Sequence, residues 1–148
     1  MSVDITFLKQ EAKVDLKIDK SSIVSSSLNS GVTICKWLDY YREVALELTK
    51  NKAQRDKIEL TLFLYYTGKA SQEQLSYLEK SKPFGLKVDN KTDIDKFIKA
   101  SKEYIEADYN VKSTEQNLKF IDETIQALKT QNFKITNIIN YLKFTNGE

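Results

Sequence analysis

The sequence predicts an all-α protein: a helical hairpin of long helices with a further helix at the C-terminal end. Three observations carry this. The 148 residues include one proline and four glycines, too few to punctuate many short elements. Apolar residues recur at three- and four-residue steps over most of the chain. One stretch keeps a seven-residue apolar repeat for more than four heptads.

The elements follow in order. Over residues 3–16, Ile5, Leu8, Ala12 and Val14 sit among lysines and glutamates, which predicts a short amphipathic helix. Asp19-Lys20-Ser21-Ser22 is a break that offers several N-caps. Residues 22–30 are serine-rich, but Ile23, Val24 and Leu28 give them a thin apolar stripe, so they read as a helix with a small-residue face rather than a linker. A long helix is expected from Val32 to Tyr66, on the spacing of Ile34, Trp37, Leu38, Tyr41, Ala45 and Leu48. Its stripe lapses over Thr49–Lys57, where only Ala53 is apolar, and resumes at Ile58, Leu60, Leu62 and the run Phe63 to Tyr66. Gly68 suits a left-handed helix cap.

A short polar helix is expected over Gln72–Lys80, followed by a connector. Lys82-Pro83-Phe84-Gly85 is the strongest turn signal and divides the chain into residues 1–90 and 91–148. In the second part Phe97, Tyr104, Val111, Leu118 and Ile125 form one heptad series, and Ala100, Ala107, Thr114, Ile121 and Leu128 a second. A helix over Thr92–Thr130 would be about 58 Å long. It must fold back on the 32–66 helix or pair with another subunit to bury its stripe. Gln131-Asn132 is expected to end it. A last helix, Phe133 to Phe144, carries Ile135, Ile138, Ile139 and Leu142 on one side, to dock on its own chain or to make an oligomer contact.

The composition argues against catalysis. There is no histidine, the usual general base near neutral pH and the commonest metal ligand. No GxGxxG, Walker, HExxH, CxxC or GxSxG pattern occurs, so no enzyme, cofactor or metal site is expected. Cys35 lies off the apolar stripe with no histidine to activate it, and Trp37 reads as a core anchor. Asp93-Ile94-Asp95 and Asp122-Glu123 suit helix-dipole and surface roles. The single cysteine fits a reducing compartment, no apolar run approaches a membrane span, and Met1–Lys20 is not a signal peptide, so a cytoplasmic location is expected.

Charge is uneven along the chain. The total is +2, from 23 basic and 21 acidic residues. Within residues 50–69, Lys50, Lys52, Arg55, Lys57 and Lys69 face only Asp56 and Glu59, a net of +3. Tyr40 and Tyr41 precede this run; Tyr65 and Tyr66 close it. Basic residues that track phosphates beside aromatic stacking surfaces suit single-stranded nucleic acid. The alternative is a solvated helix face with core tyrosines. Copies arrayed around one axis would turn a +3 patch into a ring of charge.

Four local strings stand out. Lys36-Trp37-Leu38 follows Ile18-Asp19 and a serine-bearing break. Ala53-Gln54 precedes Arg55 and then, after an apolar stretch, Tyr65-Tyr66-Thr67-Gly68-Lys69. Glu79-Lys80-Ser81 comes next, and Ala127-Leu128-Lys129 is followed by Phe133, Ile135 and Ile138. In this order and register the strings resemble the UvsY family of recombination mediators of T-even-type phages, which has Tyr-Tyr-Ser-Gly-Arg at the second. The resemblance covers most of the chain and is weakest over 80–120.

The resemblance implies a non-enzymatic, all-helical protein that binds single-stranded DNA. It implies a closed ring of about seven subunits joined through the C-terminal part. It also implies help to a phage recombinase in displacing the single-strand-binding protein and nucleating a filament. By that resemblance the assembly residues are Phe133, Ile135, Ile138, Leu142 and Phe144. The family's DNA-binding basic residues lie one turn ahead of the Tyr-Tyr string, where this chain has Leu60 and Leu62. Lys50, Lys52, Arg55 and Lys57 upstream are the expected phosphate contacts, with Lys69 at the edge and Tyr65 and Tyr66 as stacking groups. The competing expectation is a helical structural or adaptor protein that works through coiled-coil contacts without DNA.

Overall fold

The computed structural model describes residues 3–18, 23–86, 88 and 90–147. Among them five helices occur and no strand: α1 (Ile5–Asp15), α2 (Ile23–Tyr66), α3 (Gln72–Tyr77), α4 (Lys91–Ala100) and α5 (Lys102–Thr145). The all-α expectation holds. The expected break at 19–22 lies outside the described residues.

α2 runs unbroken through both the serine-rich stretch and the polar stretch Thr49–Lys57. Neither contains a proline, and a polar residue on a solvent face costs a helix little. The helix ends as expected. Gly68 takes φ +74; its N–H donates to the Tyr65 carbonyl at 3.1 Å and the Lys69 N–H to the Leu64 carbonyl at 2.8 Å. Those two bonds make a Schellman cap.

The second half differs from its expected outline in two places. The 92–130 helix is broken at Ser101, whose backbone is extended (φ −72°, ψ 138°). Ser101 caps the start of α5: its carbonyl accepts from the Ile105 N–H, while its hydroxyl donates to the Phe97 carbonyl at 2.7 Å. The break changes the phase of the apolar face. Ile94 and Ile98 are buried in α4, whereas Phe97 and Ala100 of the heptad series are exposed; the series is inward only from Tyr104 and Ala107 onward. Gln131-Asn132, conversely, does not end the helix, since α5 continues to Thr145. Neither residue bars helical backbone, and the Gln131 amide donates to the Leu16 carbonyl at 2.9 Å. The C-terminal helix is therefore the end of α5.

The chain packs as two compact units, Met1–Glu47 with Glu115–Glu148, and Leu48–Thr114. The boundaries fall within α2 and α5 rather than at the Lys82–Gly85 turn. The first unit is built on Leu8, Ala12, Trp37, Val44, Ile121, Ile125 and Leu128. Trp37 is fully buried and meets Tyr40 and Phe120 edge-on, with centroids 5.4 and 6.5 Å away. Its indole N–H donates to Asp15 Oδ2 at 2.8 Å. Asp15 also pairs with Lys36, which reaches Glu11 at 2.8 Å. These bonds hold α1 on α2. Burial works against the Lys36 ammonium, but its bonds to Asp15 and Glu11 outweigh that and raise its pKa.

The second unit packs Ile58 and Leu62 of α2 against Leu78, Ile94, Ile98 and Ala107. Side chains of α2 and α5 also bond within it: Asn51 donates to Thr114 Oγ1 at 2.9 Å, and Arg55 to Asp108 at 2.8 Å.

Candidate nucleic-acid interface

The seven residues expected to meet DNA all fall in the 48–114 unit. That unit carries thirteen basic and ten acidic residues, a net of +3, against ten and eleven in the other. The positive charge is thus a property of one unit, although its members do not form a single surface.

At 3.6 residues per turn, Lys50 and Lys57 lie on one side of α2 and Lys52 on roughly the opposite flank. All three are exposed. Lys57 places its ammonium 4.8 Å from the centre of the Tyr77 ring, and the Tyr77 hydroxyl accepts from Gln54 at 2.7 Å. Gln54, one turn from both Lys50 and Lys57, joins this side of α2 to the end of α3. α3 is set by a capping box, in which Ser71 and Gln74 satisfy each other's backbone N–H.

Arg55 faces inward. Its guanidinium donates to Asp108, which also pairs with Lys112 at 2.8 Å. The hydrogen bonds from Lys112 and then Arg55 hold the Asp108 carboxyl below its ordinary pKa, and Asp108 in turn raises that of Arg55. Only Arg55 Nη1 is placed in this pair, and its side chain stays 25% exposed.

Tyr65 and Tyr66 are half-buried in an aromatic cluster with Phe84 and Phe97. Tyr66 meets Phe84 edge-on at 4.9 Å and lies 5.5 Å from Phe97 with planes 31° apart. Since the Ser101 proton goes to Phe97, the Tyr66 hydroxyl is the donor in its 2.6 Å bond to Ser101 Oγ. Its ring packs against Tyr65, Phe84 and Phe97. Tyr65 meets Tyr66 and Phe84, with the Lys80 ammonium 5.8 Å from its ring centre. Lys69 is exposed just beyond the α2 cap. Of the two leucines in the Tyr-Tyr register, Leu62 is fully buried in the core and Leu60 is 61% exposed. Leu62 is a packing residue, so a basic side chain in its place would have to be buried.

Sequence reasoning missed Tyr77, Lys80, Phe84 and Phe97 as neighbours of this surface. Phe84 carried a signal, an aromatic inside the strongest turn motif. Phe97 was hidden by its place in the heptad series, which the break at Ser101 puts out of phase.

The residues expected to serve assembly lie in the other unit and divide between two faces of α5. Ile135 is 4% exposed, with Ile138 half-buried beside it and Leu142 one turn on. Phe133 and Phe144 point the opposite way and are exposed. Among the described residues no three or more Cys, Asp or Glu side chains cluster as metal ligands, and no helix is long and apolar enough to cross a membrane.

The fold has close counterparts. Two crystal structures of the bacteriophage T4 recombination mediator protein UvsY superpose with TM-scores of 0.80 and 0.83, both at 19% identity. The first match covers 98% of this chain and 99% of that one; the second covers 96% and 99%. In sequence, the recombination protein UvsY of Enterobacteria phage T4 is 23% identical over 142 residues, 95% of this chain and 96% of its own. The profile of the family described as "Recombination, repair and ssDNA binding protein UvsY" matches residues 11–148. On that match over nearly the whole length, the chain belongs to the UvsY family.

Proposed function

We propose that this protein is a recombination mediator: it binds single-stranded DNA and promotes loading of a recombinase filament in place of single-strand-binding protein. Family membership supports the general role. The observation that carries the DNA-binding part is the gathering of positive charge in the 48–114 unit, with Lys50, Lys57 and Lys69 exposed on it.

The work is presentation rather than bond chemistry. Lysine ammoniums on flexible stems follow phosphates without reading sequence. Lys50 and Lys57, two turns apart on one side of α2, span about 10 Å of axis. Tyr77 beside Lys57, with Phe97 at the exposed edge of the aromatic cluster, offers ring surface to unpaired bases. One such patch is weak. A homo-oligomeric ring of about seven subunits would hold several stretches of one strand at high effective concentration. Bending that strand would loosen the single-strand-binding protein and offer free DNA to the recombinase.

The test is a titration with oligo-dT over a series of salt concentrations. The unaltered protein should bind with a log–log salt slope of several units, about 0.7 per phosphate neutralised. Lys50→Ala with Lys57→Ala and Lys69→Ala should flatten that slope by about two units. Absence of oligo-dT binding at low salt would leave an adaptor acting through helix contacts alone.

A further inference from the structure

Leu86, Val88, Asn90 and one side of α4 line an open groove of about 830 Å³ on the 48–114 unit. That is the size of a small-ligand site, about 300–1,000 Å³. Its walls are apolar, from Leu86, Val88 and the Phe97 ring, with Asn90, Asp93 and Lys96 set among them. Asp93, Lys96 and Phe97 are three and four residues apart, so they share one face of α4. The core takes α4 by Ile94 and Ile98 instead, which leaves Leu86 67% and Phe97 40% exposed. Phe97 is held as a platform. Tyr66 lies 5.5 Å from its ring with planes 31° apart, and Phe84 meets it at 5.8 Å. The Tyr66 hydroxyl is fixed on Ser101, whose own hydroxyl is fixed on the Phe97 carbonyl. The helix break at Ser101 thus takes this ring out of the inward heptad series and ties it in place. A ring already held in one position loses little freedom when another ring stacks on it.

We infer that this groove receives an unpaired nucleobase of a single strand, stacked on Phe97. The inference rests on the DNA-binding reading above and adds a base-contacting site on a different helix from Lys50 and Lys57. Stacking on an aromatic ring suits any base, since every base has a π face. Leu86 and Val88 give apolar contact beside it. Asn90 Oδ1 accepts from the Thr92 N–H at 3.0 Å, which leaves its amide N–H groups to donate. The Asp93 carboxylate can only accept. Every base offers both a donor and an acceptor along its Watson–Crick edge, so this pair of partners takes that edge without choosing among bases. In a duplex the edge is already paired and the ring is stacked on both sides, so the groove selects for single strands. Charge sets the orientation. The Lys96 ammonium attracts the adjoining phosphate and the Asp93 carboxylate repels it, so the backbone lies on the Lys96 side and the base edge toward Asp93.

The experiment titrates the full chain with oligo-dT and with an abasic oligonucleotide of the same length, which carries the same phosphates and no bases. Binding is read by fluorescence anisotropy and folding by circular dichroism. The unaltered protein should prefer oligo-dT by about fivefold or more, the low end for one stacked base. Phe97→Leu should remove most of that preference and keep the salt slope, since no cation is lost. Leu86→Ser, at an exposed wall, should lower the same ratio by about twofold or more, and it decides alone if Phe97→Leu does not fold. A folded Phe97→Leu protein that keeps the full preference overturns the inference and leaves the lysine contacts of α2 standing. So does an unaltered protein that binds both oligonucleotides equally. Absence of oligo-dT binding by the unaltered protein at low salt overturns the proposed function and this inference with it.

Discussion

Arg55 on α2 donates to Asp108 on α5 at 2.8 Å, 53 residues away in the chain. The basic run Lys50–Lys57 therefore contains two kinds of cation: lysines at the surface and one arginine that ties two helices together. Their substitutions should separate. Arg55→Ala should lower stability by about 1 kcal/mol, the scale of a well-made ion pair, and leave the oligo-dT salt slope within error. Lys50→Ala and Lys57→Ala should do the reverse. Urea midpoints measured beside DNA titrations decide; an Arg55→Ala protein of full stability with a flattened slope would return the arginine to the DNA surface.

The same pair gives stability a pH dependence of fixed sign. Asp108 has its pKa lowered in the folded state, by Lys112 and then Arg55. A lowered carboxylate pKa means that the unfolded chain binds protons first as pH falls. The contribution is therefore complete above about pH 5 and is lost as pH drops through the folded value. The difference in urea midpoint between the unaltered protein and Asp108→Asn should be constant from neutral pH down to that point and then shrink. A difference that grows on acidification would contradict the arrangement.

Trp37 is the chain's one tryptophan and is fully buried, with its N–H on Asp15. Trp37→Ala should cost about 3–5 kcal/mol through lost burial and the cavity left behind. Trp37→Phe keeps most of the apolar volume and leaves Asp15 with Lys36 as partner, so its cost should be smaller by at least half. Thermal unfolding followed by circular dichroism orders the two. In the unaltered chain, tryptophan emission reports the packing of α1 on α2 directly, and Asp15→Asn should move its thermal transition down.

What was legible in the sequence follows from the range of each interaction. Helix identity is local, set by apolar spacing and the scarcity of proline and glycine, so every helical segment was visible. Gly68 was visible as a cap because its backbone conformation is a property of one residue. The break at Ser101 was not. Its partners are Phe97, four residues away, and Tyr66, 35 residues away on α2, and nothing in Ala100-Ser101-Lys102 forbids a helix. The seven-residue repeat ran straight through it and misplaced Phe97. The basic run was legible as charge, but that Arg55 within it pairs with α5 depended on Asp108. The α5 residues were legible as apolar, yet which of them are buried, Ile135 at 4% exposure against Phe133 at 74%, depended on tertiary packing.

Glu79 holds φ +57 at the end of α3, the described non-glycine residue with positive φ. The geometry around it is a Schellman cap: the Glu79 N–H donates to the Ser76 carbonyl at 3.0 Å and the Lys80 N–H to the Leu75 carbonyl at 2.8 Å. This is the position glycine holds at the end of α2, filled here by a residue whose Cβ makes the conformation costly by about 1–2 kcal/mol. Its carboxylate also sits at the negative end of the helix dipole. Glu79→Gly removes both penalties and returns part of the gain as greater freedom of the unfolded chain. A net gain of about 0.5–1 kcal/mol is expected, roughly 1–4 °C in Tm. Glu79→Gln removes only the charge, so the difference between the two variants isolates the backbone share. Gly68→Ala supplies the opposite sign: no atom lies within 4 Å of the added Cβ, and the expected loss of about 1 kcal/mol is conformational alone. A Glu79→Gly protein no more stable than Glu79→Gln would show that the left-handed turn is not where α3 holds its strain.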